Sequence, residues 1–454
     1  MAQPTEQAAE PKTLVVGLGK TGLSCARYLR AQGLPVAVVD SRPSPPGLGQ
    51  AREEIPDVAL FVGGFEPHVF AAAERLVVSP GVPLDEPQLA AAAARGVPIL
   101  GDIELFARAA QAPVAAITGS NGKSTVTTLL GQMARLADIR VAVGGNLGDP
   151  ALDLLAEGVE LYVLELSSFQ LESTETLEPQ VATVLNVSPD HMDRYPDLAA
   201  YAAAKARIFR GARTAVLNRD DPVVCAMAPG AHRECGFTLG NPTLDDDFGL
   251  REQAGEVWLA RGRSPLLAAR ELAVAGRHNL ANALAALAMG EACGLPQDAM
   301  IEALRTFKGL PHRTALVAEK RGVRWYDDSK GTNPGATVAA LDGLISPRGS
   351  TRAVLIAGGD CKGADFSSLV AAVERTARAV VLIGRDALMI ERVLAGRVSL
   401  LHGKDMDGAV ALAAEAAQPG DCVLLSPGCA SFDMFDNYEH RGRVFAAAVE
   451  RLPS

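Results

Sequence analysis

Short apolar runs alternate with segments of helical spacing over the first hundred residues. The run "TLVVGLG" predicts a buried strand that enters a turn, and "PVAVVD" predicts a second strand that ends at Asp40. Between them, "LSCARYLRAQG" has helical spacing and ends at Gly33. The runs "RLVVSPGVP" and "GVPILG" repeat the arrangement around the helical "EPQLAAAAARG". This alternation predicts an open, parallel α/β sheet.

The same alternation resumes in a second block that begins near "PVAAITGSNGKST". Its strand signals are "RVAVGG", "LYVLELSS", "VATVLNVS" and "TAVLN". A polar passage, "GFTLGNPTLDDDFGL", then leads into short strand-like pieces, and "NLANALAALAMGEACGL" predicts a strong amphipathic helix. The segment "GLPHR" marks the end of this block. A third block predicts another parallel sheet, from the strand signals "RAVLIAGGD", "RAVVLIG" and "DCVLLSPG".

Composition narrows the class of protein. A chain of 454 residues is expected to form two to four domains, and 48% apolar with 21% charged residues is ordinary for a globular protein. The chain contains no run of 18 apolar residues, so its sequence predicts no membrane span. The polar start "MAQPTEQAAEPK" is interpreted as a disordered leader rather than a signal peptide. A net charge of −10 without a basic run disfavours nucleic-acid binding.

Cysteine and lysine usage adds two further expectations. The seven cysteines form no C-x-x-C pair, which fits buried thiols in a reducing cytoplasm and gives a zinc site little support. Only nine of the 43 basic residues are lysines. Because this chain otherwise uses arginine so freely, its lysines are candidates for functional roles.

The first glycine loop has the pattern of a dinucleotide site. Gly17, Gly19 and Gly22 follow a strand and open a helix, where backbone N–H groups can approach a phosphate. Asp40 ends the next strand, where such sites carry an acid for a ribose hydroxyl. The alternative is a structural glycine turn, and the loop alone does not identify the nucleotide.

The second glycine loop, "TGSNGKST", indicates a triphosphate. A strict Walker A sequence would require glycine where Ile117 stands. Even so, Lys123 and the backbone N–H groups can neutralise phosphate, and the hydroxyl of Ser124 or Thr125 can hold Mg²⁺. The alternative, an ordinary helix cap, explains the lysine poorly.

Acidic and histidine side chains follow the next strands of this block. Glu165 ends "LYVLE", and Asp190, His191 and Asp193 follow "VATVLNVS". Since the carboxyl ends of parallel strands meet at one edge of a sheet, this group predicts a metal site beside the phosphate loop. His191 alone would be better interpreted as structural.

Other polar positions remain ambiguous when each is taken separately. Lys205 lies in an alanine-rich helix and is interpreted, from its own segment, as part of a solvated face. Asn279 and Asn282 share a helix face and could recognise a base or cap the helix. The remaining candidates lie just after strands or at block boundaries, and they are His312, Arg313, Asp328, Lys330, Thr332 and Lys362.

Taken together, these segments resemble the Mur ligase family over nearly the whole chain. The resemblance rests on "GLGKTGLSCARYL", "TGSNGKST", "ELSSFQLE", "NVSPDHMDRY", "YAAAKARIF", "GRHNLANALAA", "GLPHR", "DDSKGTNPGAT", "GGDCKGADF" and "SPGCASFDMFDNYEHRG". The last segment resembles the D-glutamate-adding branch of the family, and the Asp-Asn-Pro-Arg motif of the diaminopimelate-adding branch is missing.

The resemblance implies an α/β protein of three domains, each built on a mostly parallel sheet. Residues 1–101 would form a Rossmann-like domain that binds a UDP-linked substrate, and residues 102–309 a P-loop-type ATPase domain. Residues 310–454 would form a Rossmann-like domain that binds the amino acid. The implied partners are UDP-N-acetylmuramoyl-L-alanine, D-glutamate and ATP, with two Mg²⁺ ions, in a cytoplasmic monomer. ATP would phosphorylate the substrate carboxylate, and the amine of D-glutamate would attack the acyl phosphate.

The family's functional positions map onto this chain residue by residue. Catalysis would depend on Lys123, Glu165, His191 and Lys205, and the metal ligands would be Ser124, Glu165, His191 and a carbamylated Lys205. ATP would be bound by Gly119, Ser120, Asn121, Gly122, Lys123, Ser124, Thr125, Asn279, Asn282, Arg313 and Asp328. The UDP-sugar would be bound by Gly19, Thr21, Asp40, Ser41, Gly81 and Asn146. D-Glutamate would be bound by Lys330, Thr332, Lys362, Ser431, Phe432 and Tyr438.

Two positions depart from the family pattern, and three rival functions remain. Lys20 stands where an apolar residue is common, and Tyr438 where Phe is common. An NAD-dependent dehydrogenase would explain residues 17–40 and nothing after them. A nucleotide-binding switch would bind ATP without releasing phosphate. Another Mur ligase, or a folate-polyglutamate ligase, would differ only in its substrates.

Overall fold

Three β-sheets follow one another along the chain in a computed structural model that describes residues 12–227, 231–274, 276–345 and 351–453. Each sheet is mostly parallel and is flanked by helices, so the predicted α/β class with three sheet-based domains is confirmed. The exact domain boundaries stay predictions. The expected N-terminal leader falls almost entirely outside the described residues.

The first sheet is parallel throughout, with the strand order β3-β2-β1-β4-β5. Its strands are β1 (Thr13–Val16), β2 (Val36–Asp40), β3 (Ala59–Val62), β4 (Arg75–Val78) and β5 (Ile99–Leu100). Its helices are α1 (Lys20–Ala31), α2 (Leu48–Glu54), α3 (Pro67–Ala71), α4 (Pro87–Ala94) and α5 (Asp102–Ala109). Strand β3 is an exposed edge strand, and its weak burial explains why the apolar pattern did not predict it.

The second sheet has nine strands in the order β14-β13-β12-β11-β10-β9-β6-β8-β7, and only its β12–β14 end is antiparallel. Its strands are β6 (Val114–Thr118), β7 (Val141–Gly145), β8 (Leu161–Glu165), β9 (Val181–Val184), β10 (Thr214–Asn218), β11 (Arg233–Phe237), β12 (Phe248–Gln253), β13 (Glu256–Arg261) and β14 (Ser264–Ala268). Its helices are α6 (Lys123–Leu136), α7 (Ser168–Glu172), α8 (Leu198–Ala206), α9 (Pro222–Cys225), α10 (Arg277–Ala292) and α11 (Gln297–Thr306).

The third sheet has the order β15-β16-β20-β17-β18-β19 and is parallel except for the β15–β16 hairpin. Its strands are β15 (Ala315–Lys320), β16 (Val323–Asp327), β17 (Ala353–Gly358), β18 (Ala377–Ile383), β19 (Ser399–His402) and β20 (Cys422–Leu425). Its helices are α12 (Pro334–Leu344), α13 (Ser367–Thr376), α14 (Ala387–Leu394), α15 (Met406–Ala416) and α16 (Tyr438–Glu450).

Helix α10 corrects one detail of the sequence analysis. The helix forms as predicted, but its second half is not amphipathic, because every residue from 283 to 290 is buried. The helix packs against α6 on one side and against β9 to β12 on the other. Alanine at four of these eight positions leaves space for close approach on both sides. A helix that is buried on every side has no polar face toward solvent.

The junctions between the domains differ in chemistry. The first and second sheets share one hydrophobic core in which Leu23, Phe106 and Tyr162 are buried together. The second and third domains meet instead through polar contacts, such as the hydrogen bonds between the side-chain amides of Asn121 and Asn333. Polar interfaces within a chain permit relative domain motion far more readily than a shared apolar core does.

Among the described residues, no helix combines the length and the apolar character that crossing a membrane requires.

We predict that Phe106→Ala destabilises the junction of the first two domains. Phe106 is fully buried and meets the Tyr162 ring edge to face, with 5.0 Å between ring centroids. Truncating such a side chain is expected to lower the free energy of unfolding by about 3–5 kcal/mol, measured by chemical denaturation. Leu136→Ala is the matched control, because Leu136 is 45% exposed at the end of α6. An equal effect of both variants would contradict the shared core.

Candidate active site

The second glycine loop connects β6 to α6 and has the conformation of a phosphate cradle. Gly122 precedes the first turn of α6 with a φ of 85°, a left-handed conformation that favours glycine. A Cβ atom there would also approach Oδ1 of Asn282 to 2.5 Å. Helix α6 therefore begins directly at the loop, with its free N–H groups directed at whatever the loop surrounds.

Lys123 folds back over this loop. Its Nζ donates to the carbonyl oxygens of Gly119 at 2.8 Å and Ser120 at 3.0 Å. Burial lowers the pKa of Lys123, and the nearby Glu165 and Asp190 carboxylates act in the opposite direction. A cation that binds only backbone carbonyls in this position is well placed to exchange them for phosphate oxygens.

Lys205 donates to the same carbonyl oxygen of Gly119. The interpretation of this lysine as part of a solvated helix face is therefore wrong. Its side chain in α8 is 1% exposed, and Nζ donates to the Gly119 oxygen at 3.1 Å. The ammonium also lies 4.3 Å from the centroid of the Tyr201 ring. Burial, followed by the neighbouring Lys123, lowers the pKa of Lys205 well below its ordinary value. The alanine-rich helix that suggested exposure instead packs closely against the site.

Glu165 ends β8 beside the loop, and within the described residues only one of its two carboxylate oxygens accepts a hydrogen bond. Its Oε1 accepts a hydrogen bond of 2.7 Å from Nδ2 of Asn146. Its Oε2 is buried without a hydrogen-bond partner among the described residues. A buried carboxylate oxygen without a partner is costly, so this atom is a strong candidate for binding a cation.

His191 projects from the loop after β9 into the same region. Its backbone is left-handed, with a φ of 58°, and its ring meets Phe169 edge to face at 4.9 Å. Burial lowers the pKa of the imidazole, and Lys362, Lys123 and Lys205 act in the same direction against Asp190. A neutral imidazole is the form that binds metals or accepts a proton. Asp193, by contrast, is exposed and does not line the site.

These residues fit Mg²⁺, provided that substrate oxygens complete its coordination. No group of three or more His, Cys, Asp or Glu side chains is placed to hold a metal within the described residues. The Glu165 oxygen without a partner and the Ser124 hydroxyl are hard oxygen donors of the type that Mg²⁺ prefers. Mg²⁺ commonly takes few protein ligands and completes its shell with water and phosphate.

A cavity of about 310 Å³ lies between the second and third domains, next to the loop. It brings together Asn121, Gly122, Thr125, Asn279, Asn282, Arg313 and Asp328 from the predicted ATP site. Arg313 also donates to Oγ of Ser124 at 2.8 Å across the domain junction. Burial raises the pKa of Asp328 to about 6, although Ser426 and Thr314 donate to its carboxylate.

A second cavity, of about 540 Å³, lies between the first and second domains. All six residues predicted to bind the UDP-sugar line it, namely Gly19, Thr21, Asp40, Ser41, Gly81 and Asn146. Asp40 is 2% exposed, and its oxygens already accept from the N–H of Leu18 and from the Arg42 guanidinium. Asp40 therefore fixes the glycine loop and Arg42, and the more exposed Arg42 is the group that faces the cavity.

The residues predicted to bind D-glutamate are only partly brought together. Thr332 and Lys362 line a small third cavity with Asp190 and His191. Lys330 lines the cavity between the second and third domains instead, and its Nζ lies 3.9 Å from the centroid of the Tyr438 ring. Burial lowers the pKa of Lys330 to about 8. Ser431, which is buried, and Phe432, which is 69% exposed, line none of these three cavities.

Sequence analysis missed several residues that the fold places in the site. Arg42 holds Asp40, and Asn333 links Asn121 to Asp190 across the domain junction. Gln170 lines the cavity between the first and second domains and donates to the buried Asp102 at 2.8 Å. Asn333 and Gln170 lie within the quoted segments "DDSKGTNPGAT" and "ELSSFQLE", and Arg42 follows Ser41, so position in or beside a recognised motif was the available signal.

Comparison with known proteins covers nearly the whole chain. Profiles of three domains match in order: "Mur ligase MurD-like, N-terminal domain" at residues 11–101, "Mur ligase middle domain" at 117–290 and "Mur ligase, glutamate ligase domain" at 312–429. The sequence is 58% identical over 454 residues to a UDP-N-acetylmuramoylalanine–D-glutamate ligase from Nitrosococcus oceani, covering 100% of this chain and 99% of that protein. It is 55% identical to the enzyme of that name from Pseudomonas aeruginosa, covering 98% and 99%.

Solved structures show the same fold at low identity. A pseudomurein peptide ligase type C from Methanothermus fervidus superposes with a TM-score of 0.62 at 18% identity, over 98% of this chain and 100% of that chain. The UDP-N-acetylmuramate–alanine ligase from Thermotoga maritima gives 0.61 at 18% identity, over 97% and 99%. The dehydrogenase hypothesis is left without support, because three Mur ligase domain models match the chain in order and its full-length identity to a D-glutamate ligase exceeds one half. The chain belongs to the Mur ligase family.

Proposed function

We propose that this chain joins D-glutamate to UDP-N-acetylmuramoyl-L-alanine and converts ATP to ADP and phosphate, a step of peptidoglycan precursor synthesis. The observation that carries the proposal is the hydrogen bond between Asn146 and Glu165. Asn146 lines the cavity of the first glycine loop, and Glu165 lies beside the second loop. This hydrogen bond therefore brings the two phosphate cradles together at one carboxylate, and a phosphoryl transfer between two bound substrates requires such proximity. The names of the full-length relatives supply the identity of the substrates.

The balance of charge in the site favours anionic substrates. Five cationic side chains lie close enough to affect one another or His191, namely Lys123, Lys205, Lys330, Lys362 and Arg313. The carboxylates that act on this group are Glu165, Asp190, Glu439 and Asp328. This excess of cations suits a triphosphate and a second carboxylate. Charge that develops on the transferring phosphoryl group would be stabilised by donors already in position.

The reaction divides among the three cavities. The glycine loop and Lys123 bind the ATP phosphates, while Asn279, Asn282, Arg313 and Asp328 surround the nucleoside. The second cavity, between the first and second domains, orients the UDP-sugar so that its alanine carboxylate reaches the γ-phosphate near Glu165. Oxygen of that carboxylate attacks phosphorus and ADP leaves. The amine of D-glutamate, held by Lys362 and Thr332, then attacks the acyl carbon, and a tetrahedral intermediate collapses to amide and phosphate.

Two Mg²⁺ ions belong to the proposal, with Ser124, Glu165, His191 and a carbamylated Lys205 among the groups that would hold them. Bound Mg²⁺ supplies charge neutralisation for the phosphates. A free ammonium beside two divalent ions would be repelled, whereas a carbamate is anionic. The lowered pKa of Lys205 favours the neutral amine, which adds CO₂ and releases a proton. A cytoplasmic location and a monomeric state remain predictions.

We predict that phosphate release requires all three substrates. A matrix of UDP-linked acceptors and D- or L-amino acids, with ATP and Mg²⁺, is expected to give phosphate only with UDP-N-acetylmuramoyl-L-alanine and D-glutamate. A nucleotide-binding switch would release none with this pair, and a folate-polyglutamate ligase would prefer another acceptor. Equal activity with L-alanine or meso-diaminopimelate would overturn the proposed specificity.

We predict that Lys205→Arg is nearly inactive, although length and charge are kept, because arginine cannot form the carbamate. Lys205→Glu is expected to recover a little activity at high Mg²⁺ concentration. Lowering the pH protonates the amine, so wild-type activity should fall as the pH falls and should rise again with added bicarbonate. The control is Lys404→Arg, since Lys404 is exposed on the third domain. A fully active Lys205→Arg enzyme would contradict the role of the carbamate.

We predict that Lys362→Ala weakens D-glutamate binding and spares ATP. Losing a charged hydrogen bond to a carboxylate costs about 1.5–3 kcal/mol, which corresponds to a rise in KM for D-glutamate of about tenfold or more. Steady-state kinetics with each substrate varied in turn would measure both constants. Lys404→Ala in the same domain is the matched control. Unchanged KM for D-glutamate in Lys362→Ala would remove the third cavity from amino-acid binding.

A further inference from the structure

Two cysteines face each other in the third domain, outside the reaction described above. Sγ of Cys361 lies 2.9 Å from Sγ of Cys429, and both side chains are buried. Cys361 lies in the loop after β17, and Cys429 lies in the loop after β20. These strands are direct neighbours in the sheet, so their loops leave the same edge side by side.

The backbone register explains why the two thiols meet. Asp360 and Ala430 form an isolated antiparallel bridge in which each N–H donates to the carbonyl of the other, at 3.0 and 2.9 Å. Cys361 and Cys429 are the next residues beyond this isolated bridge on the two segments, at the position where an antiparallel pair would have no backbone hydrogen bonds. Cα atoms in such a pair lie about 4.5 Å apart. Disulfides span Cα separations of about 4.4–6.8 Å, so the ideal spacing of such a pair is one that a disulfide can bridge.

Both cysteines are anchored next to residues of the proposed D-glutamate site. The N–H of Cys361 donates to the Asp386 carboxylate at 2.8 Å, and the adjacent Lys362 has a left-handed backbone. The carbonyl of Cys429 accepts from the buried Arg441 at 3.1 Å, and Ser431 follows two residues later. Movement of either sulfur would therefore be transmitted to a loop that carries a proposed binding residue.

We propose that Cys361 and Cys429 form a thiol–disulfide exchange site that takes small-molecule disulfides and whose oxidation weakens binding of the amino-acid substrate. The first half of this inference stands on the thiol geometry, and the second half rests on the function proposed above. The alternative is that the two thiols are only small apolar side chains in a core.

The chemistry balances with a small disulfide as the oxidant. Cys361 and Cys429 are only 3% and 1% exposed, but Cys361 lines the small third cavity and Cys429 does not, so Cys361 is the thiol that an oxidant entering there would meet first. Its thiolate attacks one sulfur of the disulfide, a mixed disulfide forms, and one thiolate leaves. The Cys429 thiolate then attacks Sγ of Cys361, the protein disulfide forms, and the second thiolate leaves. Two electrons pass to the small disulfide, and the two thiol protons leave with its two thiolates or to solvent.

The reaction is expected to be slow at neutral pH. The neighbouring Cys361 thiol, and then burial, raise the pKa of Cys429, so little thiolate is present to complete the second step. Oxidation should accelerate as the pH rises. Once formed, the bond draws the sulfurs together from 2.9 Å to about 2.0 Å. A shift of this size beside Lys362 is large enough to affect substrate positioning.

The test uses the full-length enzyme with Cys225→Ala, because Cys225 is exposed and would react with any disulfide. The reduced enzyme is exposed to oxidised glutathione at mildly alkaline pH, its remaining thiols are capped, and its peptides are mapped by mass. We expect a peptide pair that links residues 361 and 429. The KM for D-glutamate should rise about tenfold, and the KM for ATP should not change. A thiol reductant should separate the linked peptides and return the KM for D-glutamate to its starting value.

Two further variants test the order of attack. Cys429→Ala should retain one glutathionyl group on Cys361, because no second thiol is present to displace it, and Cys361→Ala should leave Cys429 unmodified and the KM insensitive to oxidant. Absence of the linked peptides in the wild-type map would overturn the exchange site, and linked peptides with unchanged KM for D-glutamate would overturn its effect on binding. Failure of the proposed function is distinguishable, because the fully reduced enzyme would then release no phosphate with D-glutamate.

Discussion

Two lysine ammonium groups share one backbone oxygen, the carbonyl of Gly119, and the site depends on this contact. Nζ of Lys123 and Nζ of Lys205 lie 2.8 and 3.1 Å from that atom. One carbonyl dipole cannot balance two cations. Burial lowers the pKa of both lysines, and the neighbouring Lys123 lowers the pKa of Lys205 further. Under the proposed function, the arrangement would become favourable once phosphate replaced the carbonyl as the partner of Lys123 and Lys205 became a carbamate.

The topology of the sheets explains how so many distant residues reach this point. β6, β8 and β9 are adjacent and parallel, so the loops that carry Lys123, Glu165 and His191 leave the same edge. The third sheet presents its own strand ends across a polar junction. An apolar core joins the first domain to the second, whereas polar contacts join the third domain to the second, and a polar junction is the type that permits relative domain motion.

Sequence patterns predicted the sheets and the two phosphate loops well, because buried strands and glycine turns have strong local signals. They failed where tertiary packing decides the outcome. The alanine-rich segment around Lys205 is locally indistinguishable from a solvated helix, and its burial follows from the packing of α8 against the loop. The opposed cysteines depend on the pairing of loops 68 residues apart, which no local pattern encodes. Asp40 was found, but its engagement with Arg42 was not.

The central claim is that both phosphate cradles act on one pair of substrates, with phosphorus passing to the UDP-linked carboxylate. The most direct measurement is the fate of an isotopic label. UDP-N-acetylmuramoyl-L-alanine carrying ¹⁸O in its alanine carboxylate is incubated with ATP, Mg²⁺ and D-glutamate, and the released phosphate is analysed by mass. Formation of an acyl phosphate predicts that one labelled oxygen appears in the phosphate for each amide formed. Amide formation with phosphate free of the label would contradict the account.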